Sequence, residues 1–332
     1  MNKNVVSFIL AAFIMLGAIR VDAQTAEKVY RIGILSAASE VPQFFEAFSQ
    51  RLRELGNVEG KNISFERRYA AGDLDRLPGF AAELVKEQVD IILAVTVPAV
   101  LAAKKATTTI PIIMYGVPDP VGIGIVDSLA SPGGNVTGLS TLGVDLSGKR
   151  LELLKETIPK LARVAVLWNA SDRGMTLMSE RIQTAGQALA VVVNPLAVRD
   201  TKDVEVALAE AAKRRPDALL MITDRLTGLH LKQVLDFAVK TKLPSMFEDE
   251  VFVTQGGLMA YGANRPELNR RAAVYVDKIL KGTKPSSLPV EQPMTFDFTI
   301  NLKAAKQIGL TIPPNVLARA DKVIKESAGI NR

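Results

Sequence analysis

The sequence predicts an α/β protein of two lobes, each a doubly wound parallel sheet, joined by a hinge that the chain crosses more than once. The first observation behind this is an internal repeat. Tyr30-Arg31-Ile32-Gly33-Ile34-Leu35-Ser36 is answered 132 residues later by Ala162-Arg163-Val164-Ala165-Val166-Leu167-Trp168. Val89-Asp90-Ile91-Ile92-Leu93 returns as Pro216-Asp217-Ala218-Leu219-Leu220 at an offset of 127, and Ile110-Pro111-Ile112-Ile113-Met114 as Leu243-Pro244-Ser245-Met246-Phe247 at 133. Any two parallel α/β domains share such strands, but here three landmarks keep their order and nearly their spacing. The second observation is that near-continuous apolar runs alternate with helical-period segments, as in parallel strands covered on both faces. The third is an extra helix and tail after two complete lobes, which implies repeated crossing between them. Two such lobes leave a cleft, and clefts between lobes are where small ligands bind.

In the first lobe the strands are expected at 29–36, 63–69, 89–96, 110–116 and 135–141. Phe44, Phe45, Phe48, Leu52 and Leu55 recur at helical spacing, and Gly56 stops that helix. Leu74, Leu77, Phe80, Ala81 and Leu84 mark the next, with Asp73 as its candidate cap. A third runs from Pro98 to Ala106, with proline in its first turn. An amphipathic helix over 149–158 carries the chain into the second lobe. There the strands fall at 163–168, 190–194, 218–223, 244–247 and 257–261, separated by helices at about 174–189, 202–214 and 228–241. The helix 265–281 follows, then a short strand near 290–294 and helical stretches over 301–308 and 315–326. The expected division is a leader over 1–23, a first lobe of 24–142 plus about 263–288, and a second of 143–262 plus about 289–332.

The leader reads as a secretory signal peptide. Lys3 supplies a basic start, Val5 to Ile19 is an apolar run, and Val21-Asp22-Ala23 places small residues where cleavage after Ala23 needs them. A membrane anchor needs about 20 apolar residues, and this run is shorter and ends at Arg20. The chain has no cysteine, which excludes disulfides and a lipid-modified cysteine. An exported, cysteine-free body that is not membrane-embedded fits the bacterial periplasm. Loss of Lys3, Arg20 and Asp22 with the leader takes the formal charge from +6 to +5. That surplus is small, and no basic patch interleaved with aromatics is present, so no nucleic-acid partner is expected.

Ligands of open parallel sheets bind beyond the carboxyl ends of the strands. Those ends are Ser36 to Ser39, Thr96 to Pro98, Gly116 to Asp119 and Ser140-Thr141 in the first lobe. In the second they are Asn169 to Asp172, Thr223-Asp224, Glu248-Asp249 and Gly262 to Asn264. Strand-end loops are polar in any case, and such residues also cap helices. Asp119 and Asp224 could pair a buried ammonium, since an isolated buried charge is costly. Hydroxyls and free N–H groups at Ser36-Ala37-Ala38-Ser39 and Thr96-Val97-Pro98 could receive a carboxylate. Together they point to an amino-acid-like ligand. Asp119 has an equal alternative as the cap of a helix beginning at Pro120.

Catalysis has little support. His230, the only histidine, lies among helical residues and reads as a surface or capping group. There is no cysteine nucleophile, no His–Cys metal cluster and no Gly-x-Ser-x-Gly elbow. Gly122-Ile123-Gly124 lacks the third glycine of a dinucleotide fingerprint, and Gly148-Lys149-Arg150 fails the phosphate-loop pattern at its last position. No cofactor, metal or enzymatic activity is expected, although the strand-end acids Asp224, Glu248 and Asp249 leave carboxylate-only chemistry as an alternative.

The segment Thr109-Ile110-Pro111-Ile112-Ile113-Met114-Tyr115-Gly116-Val117-Pro118-Asp119-Pro120-Val121-Gly122 and the later Ser131-Pro132-Gly133-Gly134-Asn135-Val136-Thr137-Gly138 resemble the ABC-transporter substrate-binding family that includes tryptophan- and tyrosine-binding proteins. Ile300-Asn301-Leu302-Lys303-Ala304-Ala305-Lys306 and Gly309-Leu310-Thr311-Ile312-Pro313 extend the resemblance to the tail. It implies a type I periplasmic-binding fold with three crossovers and ligand-dependent closure. It also implies a monomer that delivers a small solute, an amino acid or related carboxylate, to a permease driven by a separate ATPase. Family contacts map onto Ser36, Ser39, Thr96, Asp119, Asn169, Ser171, Asp224 and Glu248. Trp168-Asn169-Ala170-Ser171 departs from the family's Asn-Pro at that point. Tyr115, Trp168 and Phe247 could form an aromatic wall, with Trp168 also readable as core. A sensing module that signals to a receptor is the alternative on the same fold.

Overall fold

The computed structural model describes residues 28–39 and 42–325; the leader and its cleavage site lie outside the described residues. Five strands form the first sheet: β1 (Tyr30–Ser36), β2 (Ile63–Tyr69), β3 (Ile91–Val95), β4 (Ile112–Val117) and β5 (Val136–Ser140), in the order β2-β1-β3-β4-β5 and all parallel. The second sheet contains β6 (Arg163–Asn169), β7 (Val192–Val198), β8 (Ala218–Met221), β9 (Ser245–Phe247), β10 (Met259–Ala263), β11 (Phe296–Asn301) and β12 (Lys322–Ile324). Its order, read from β7, is β7-β6-β8-β9-β10-β11-β12. The first five positions of the two sheets therefore match strand for strand, as the repeat predicts. In each, the order reverses beside the first strand, which opens a crevice at the carboxyl ends.

Period-two alternation fills both faces of each sheet. Along β6, Val164, Val166 and Trp168 enter one core cluster while Ala165 and Leu167 enter the other. Along β1, Ile32 and Ile34 face the core containing Phe48 and Val276, and Leu35 faces the opposite one. Each fully buried side chain of this size contributes about 1.5–3 kcal/mol.

The helix Arg265–Leu280 follows β10 of the second sheet but packs on the first, with Leu268, Ala272, Tyr275 and Val276 in the first-lobe core. The chain stays on the first sheet through Glu291, whose N–H donates to Gly138 O at 2.9 Å while its carbonyl accepts from Ser140 N at 2.9 Å. It returns to the second sheet at β11, later than the boundary near 289 read from sequence. Three connections thus join the lobes, after β5, after β10 and before β11.

The tail differs most from expectation. The strand expected at 290–294 is a single bridge between Leu139 and Glu291. The true strand, β11, pairs antiparallel with β10. The expected helix over 315–326 reduces to Pro314–Leu317, followed by β12. Asp321 explains the change: its carboxylate accepts from Phe298 N at 2.8 Å and its own N–H donates to Phe298 O at 2.9 Å, so the open edge of β11 captures the chain. The helix expected over 228–241 begins earlier and breaks at His230 into Arg225–Leu229 and Leu231–Thr241. Asp73 makes no capping bond. Among the described residues no helix is long and apolar enough to cross a membrane.

Candidate functional site

A cavity of about 650 Å³ lies between the lobes at the carboxyl ends of both sheets. The two walls differ in chemistry. From the first lobe come Phe44, Phe45, Tyr69 and Tyr115, with Ser36, Ser39 and Thr96. From the second come Asp224, Glu248, Asp249 and Glu250, with Asp297 from β11.

The aromatic wall is held by ring contacts. Phe44 stacks on Phe48 at 5.6 Å and meets Tyr115 at 4.8 Å between centroids. Phe45 lies edge-on to Phe65 at 5.1 Å. The Tyr115 hydroxyl donates to Asn269 Oδ1 at 2.5 Å, and burial raises its pKa.

Thr96 occupies φ +84°, ψ 157°, a backbone region that a β-branched residue rarely enters. It directly precedes the helix Val97–Ala106, makes no capping bond, and its hydroxyl is shielded from water without a partner. Strain and an orphaned hydroxyl at a cleft residue mark a place shaped for something other than stability.

The acids are held in place individually. Asp224 Oδ2 accepts from Asn169 Nδ2 at 2.6 Å and Oδ1 accepts from Thr227 N at 2.9 Å, capping Arg225–Leu229. Glu248 Oε1 accepts from Thr223 N at 2.9 Å, and Arg150 Nη2 stands 4.0 Å from Oε2. Asp249 Oδ2 accepts from Arg265 Nε at 2.9 Å. Burial works against the charge of Arg265, but Tyr115, Asp249 and Glu248 outweigh it and raise its pKa.

Five of the eight residues read from sequence line the cavity: Ser36, Ser39, Thr96, Asp224 and Glu248. Asn169 stands behind Asp224, is 6% exposed, and accepts from Ser171 N at 2.9 Å. Ser171 is exposed and outside the lining. Asp119 is outside it as well; its Oδ1 accepts from Gly122 N at 2.8 Å, closing a turn rather than capping a helix. The neighbouring Pro118 packs on the second lobe, where a Cβ added at Gly143 or Gly174 would come within 2.7 or 2.8 Å of it. Of the suggested aromatic wall only Tyr115 faces the cavity. Trp168 is core, and Phe247 is fully buried and stacked on Phe252 at 5.7 Å. His230 lies away from the cavity, with Nδ1 3.2 Å from Gln233 Oε1.

Phe44, Phe45, Tyr69, Arg225 and Arg265 also line the cavity, although the sequence alone does not mark them as ligand residues. One signal was available: Phe44 and Phe45 open the helix Pro42–Glu54 that follows the strand end Ser36 to Ser39, although both also pack on the core containing Phe48. Arg265 and Asn269 carry no comparable mark, because they reach the cleft only through the second crossover.

Two α/β lobes around a cavity with one aromatic and one acidic wall define a two-lobed small-ligand-binding protein. The chain belongs to the family of ABC transporter substrate-binding proteins, whose model matches residues 38–324. It is 29% identical over 289 residues to a tyrosine-binding protein of Clostridioides difficile, covering 86% of this chain and 82% of that one. It is similar to an ABC domain from Streptococcus pneumonia solved in complex with L-Trp, with 25% identity, a TM-score of 0.83, and coverage of 90% of this chain and 100% of the other. A ligand-free, open substrate-binding protein with adhesive properties from Clostridium difficile matches at 27% identity and a TM-score of 0.67, with coverage of 90% and 100%.

Proposed function

We propose that this chain is the periplasmic solute-binding component of an ABC importer, exported by the leader over 1–23, and that it captures an amino acid with an aromatic side chain. The observation that carries this is the unlike pair of walls. Phe44, Phe45, Tyr69 and Tyr115 offer ring faces and edges to an aromatic side chain. Asp224 and Glu248 offer carboxylates to an ammonium, which cannot be buried unpaired. The free hydroxyl of Thr96 and the N–H groups that begin Val97–Ala106 suit a carboxylate. The names of the relatives agree with this ligand class. A ligand touching both walls stabilises the closed pair of lobes, and the permease reads that state while the ligand passes on unchanged.

Thermal unfolding of the exported form with the twenty amino acids and simple aromatic acids tests this reading. A ligand at 100 times its dissociation constant adds about 2.7 kcal/mol of stability. L-tyrosine, L-tryptophan or L-phenylalanine should raise the unfolding temperature; no shift across the panel would overturn the assignment.

A further inference from the structure

We propose that Arg225 closes the cleft and recognises the acid group of the bound ligand, an inference that rests on the amino-acid reading above. Arg225 follows Asp224 on the second lobe, and its side chain lines the cavity. It reaches across to the first lobe and lies directly on Gly72. A Cβ built on Gly72 would stand 1.8 Å from Arg225 Nε and 2.2 Å from Cζ. Gly72 holds φ +93°, and its N–H donates to Ala37 O at 2.9 Å. The turn under the guanidinium is therefore tied to the loop that carries Ser36 and Ser39. The backbone conformation favours glycine there, and any side chain at that position would push the guanidinium aside. This is a contact between rims, present with the lobes in the arrangement described.

The chemistry of Arg225 differs from that of the other cleft cation. Arg265 is paired with Asp249. Arg225 Nε is shielded from water and has no hydrogen-bond partner, and no carboxylate among the described residues forms an ion pair with the guanidinium. A buried donor left unmade is costly, and a ligand carboxylate would satisfy it. Asp224 and Arg225 also place opposite charges side by side. That matches an α-amino acid, whose ammonium and carboxylate sit on one carbon. Thr96 would meet the carboxylate from the first lobe, so the same group would draw both lobes together.

The test is calorimetric and stopped-flow binding of L-tyrosine, L-tryptophan and tyramine to wild type, Arg225→Gln and Arg225→Lys, with far-UV circular dichroism confirming the fold. Arg225→Gln should weaken both amino acids by about 10- to 100-fold, as for loss of a charged hydrogen bond, mainly through faster dissociation. Arg225→Lys should fall between. Tyramine lacks the carboxylate, so wild type and Arg225→Gln should bind it equally, whether weakly or undetectably. An amino-acid loss below about threefold, or an equal loss for tyramine, overturns the proposal. If no amino acid binds the wild type, the ligand assignment itself fails, and small-angle scattering decides the closing role. A wild type more compact than Arg225→Gln supports it, and identical profiles overturn it.

Discussion

Replacing Arg150 with methionine probes how the floor of the cleft is held. The Arg150 side chain is 3% exposed; Nε donates to Tyr261 O at 2.7 Å, Nη1 donates to Gly143 O at 3.3 Å, and Nη2 faces Glu248 at 4.0 Å. At that separation the Coulomb attraction is about 4 kcal/mol in an effective dielectric of 20. Burial opposes it and lowers the Arg150 pKa, with Glu248 acting the other way. Methionine preserves much of the volume but leaves two carbonyls and the Glu248 carboxylate without this donor. Removing one partner of a buried pair costs about 3–5 kcal/mol. Glu248 is 12% exposed and keeps the Thr223 N–H, which places the expected loss at the lower end, about 3 kcal/mol. Urea unfolding at pH 7 measures it directly. The double variant Arg150→Met/Glu248→Gln should recover about 1–2 kcal/mol, because a neutral amide needs no cation. A single-variant loss below about 1 kcal/mol, or a double variant no more stable than the single, would refute the reasoning.

Thr96→Gly should relieve backbone strain of about 1–3 kcal/mol, offset by about 0.5–1 kcal/mol of chain entropy. The ligand-free protein should therefore unfold at higher urea while L-tyrosine binds more weakly; Thr96→Ala should lose affinity without that gain, and equal stabilities for the two variants would refute the strain argument. Tyr275 tests the seam between Arg265–Leu280 and the third crossover. Its hydroxyl donates to Pro289 O at 2.5 Å, and burial, followed by the Glu291 charge, pushes the phenol from 10.0 up to about 12. Because the folded-state value is raised, this contribution is fully present below pH 10 and is lost as the pH rises through about 12. Guanidinium unfolding of wild type and Tyr275→Phe from pH 8 to beyond 12 should show a constant difference that then disappears.

Most of the scaffold was legible in the sequence. All ten strands of the repeat appear in the structure, because a buried parallel strand declares itself as a local apolar run. The tail is less legible, because its strands depend on distant partners. Phe296-Asp297-Phe298-Thr299-Ile300-Asn301 does alternate, but β12 exists only because β11 offers an open edge. A partner strand is not a local property. The same holds for Asp119: proline, aspartate and glycine in its segment are conspicuous, yet they shape a turn beside a lobe contact at Pro118.

By itself the sequence determined the two lobes, the succession of strands and helices within their repeat, and family membership, since these rest on periodicity and motif within short windows. Only the tertiary structure decided which strand-end residues face one another across the cleft. Tyr115 meets Asn269, 154 residues away, and Arg225 lies on Gly72. Such encounters are set by how three crossovers aim two rigid sheets, and rigid packing fixes that aim through contacts distributed across both cores. No single segment of the chain carries it.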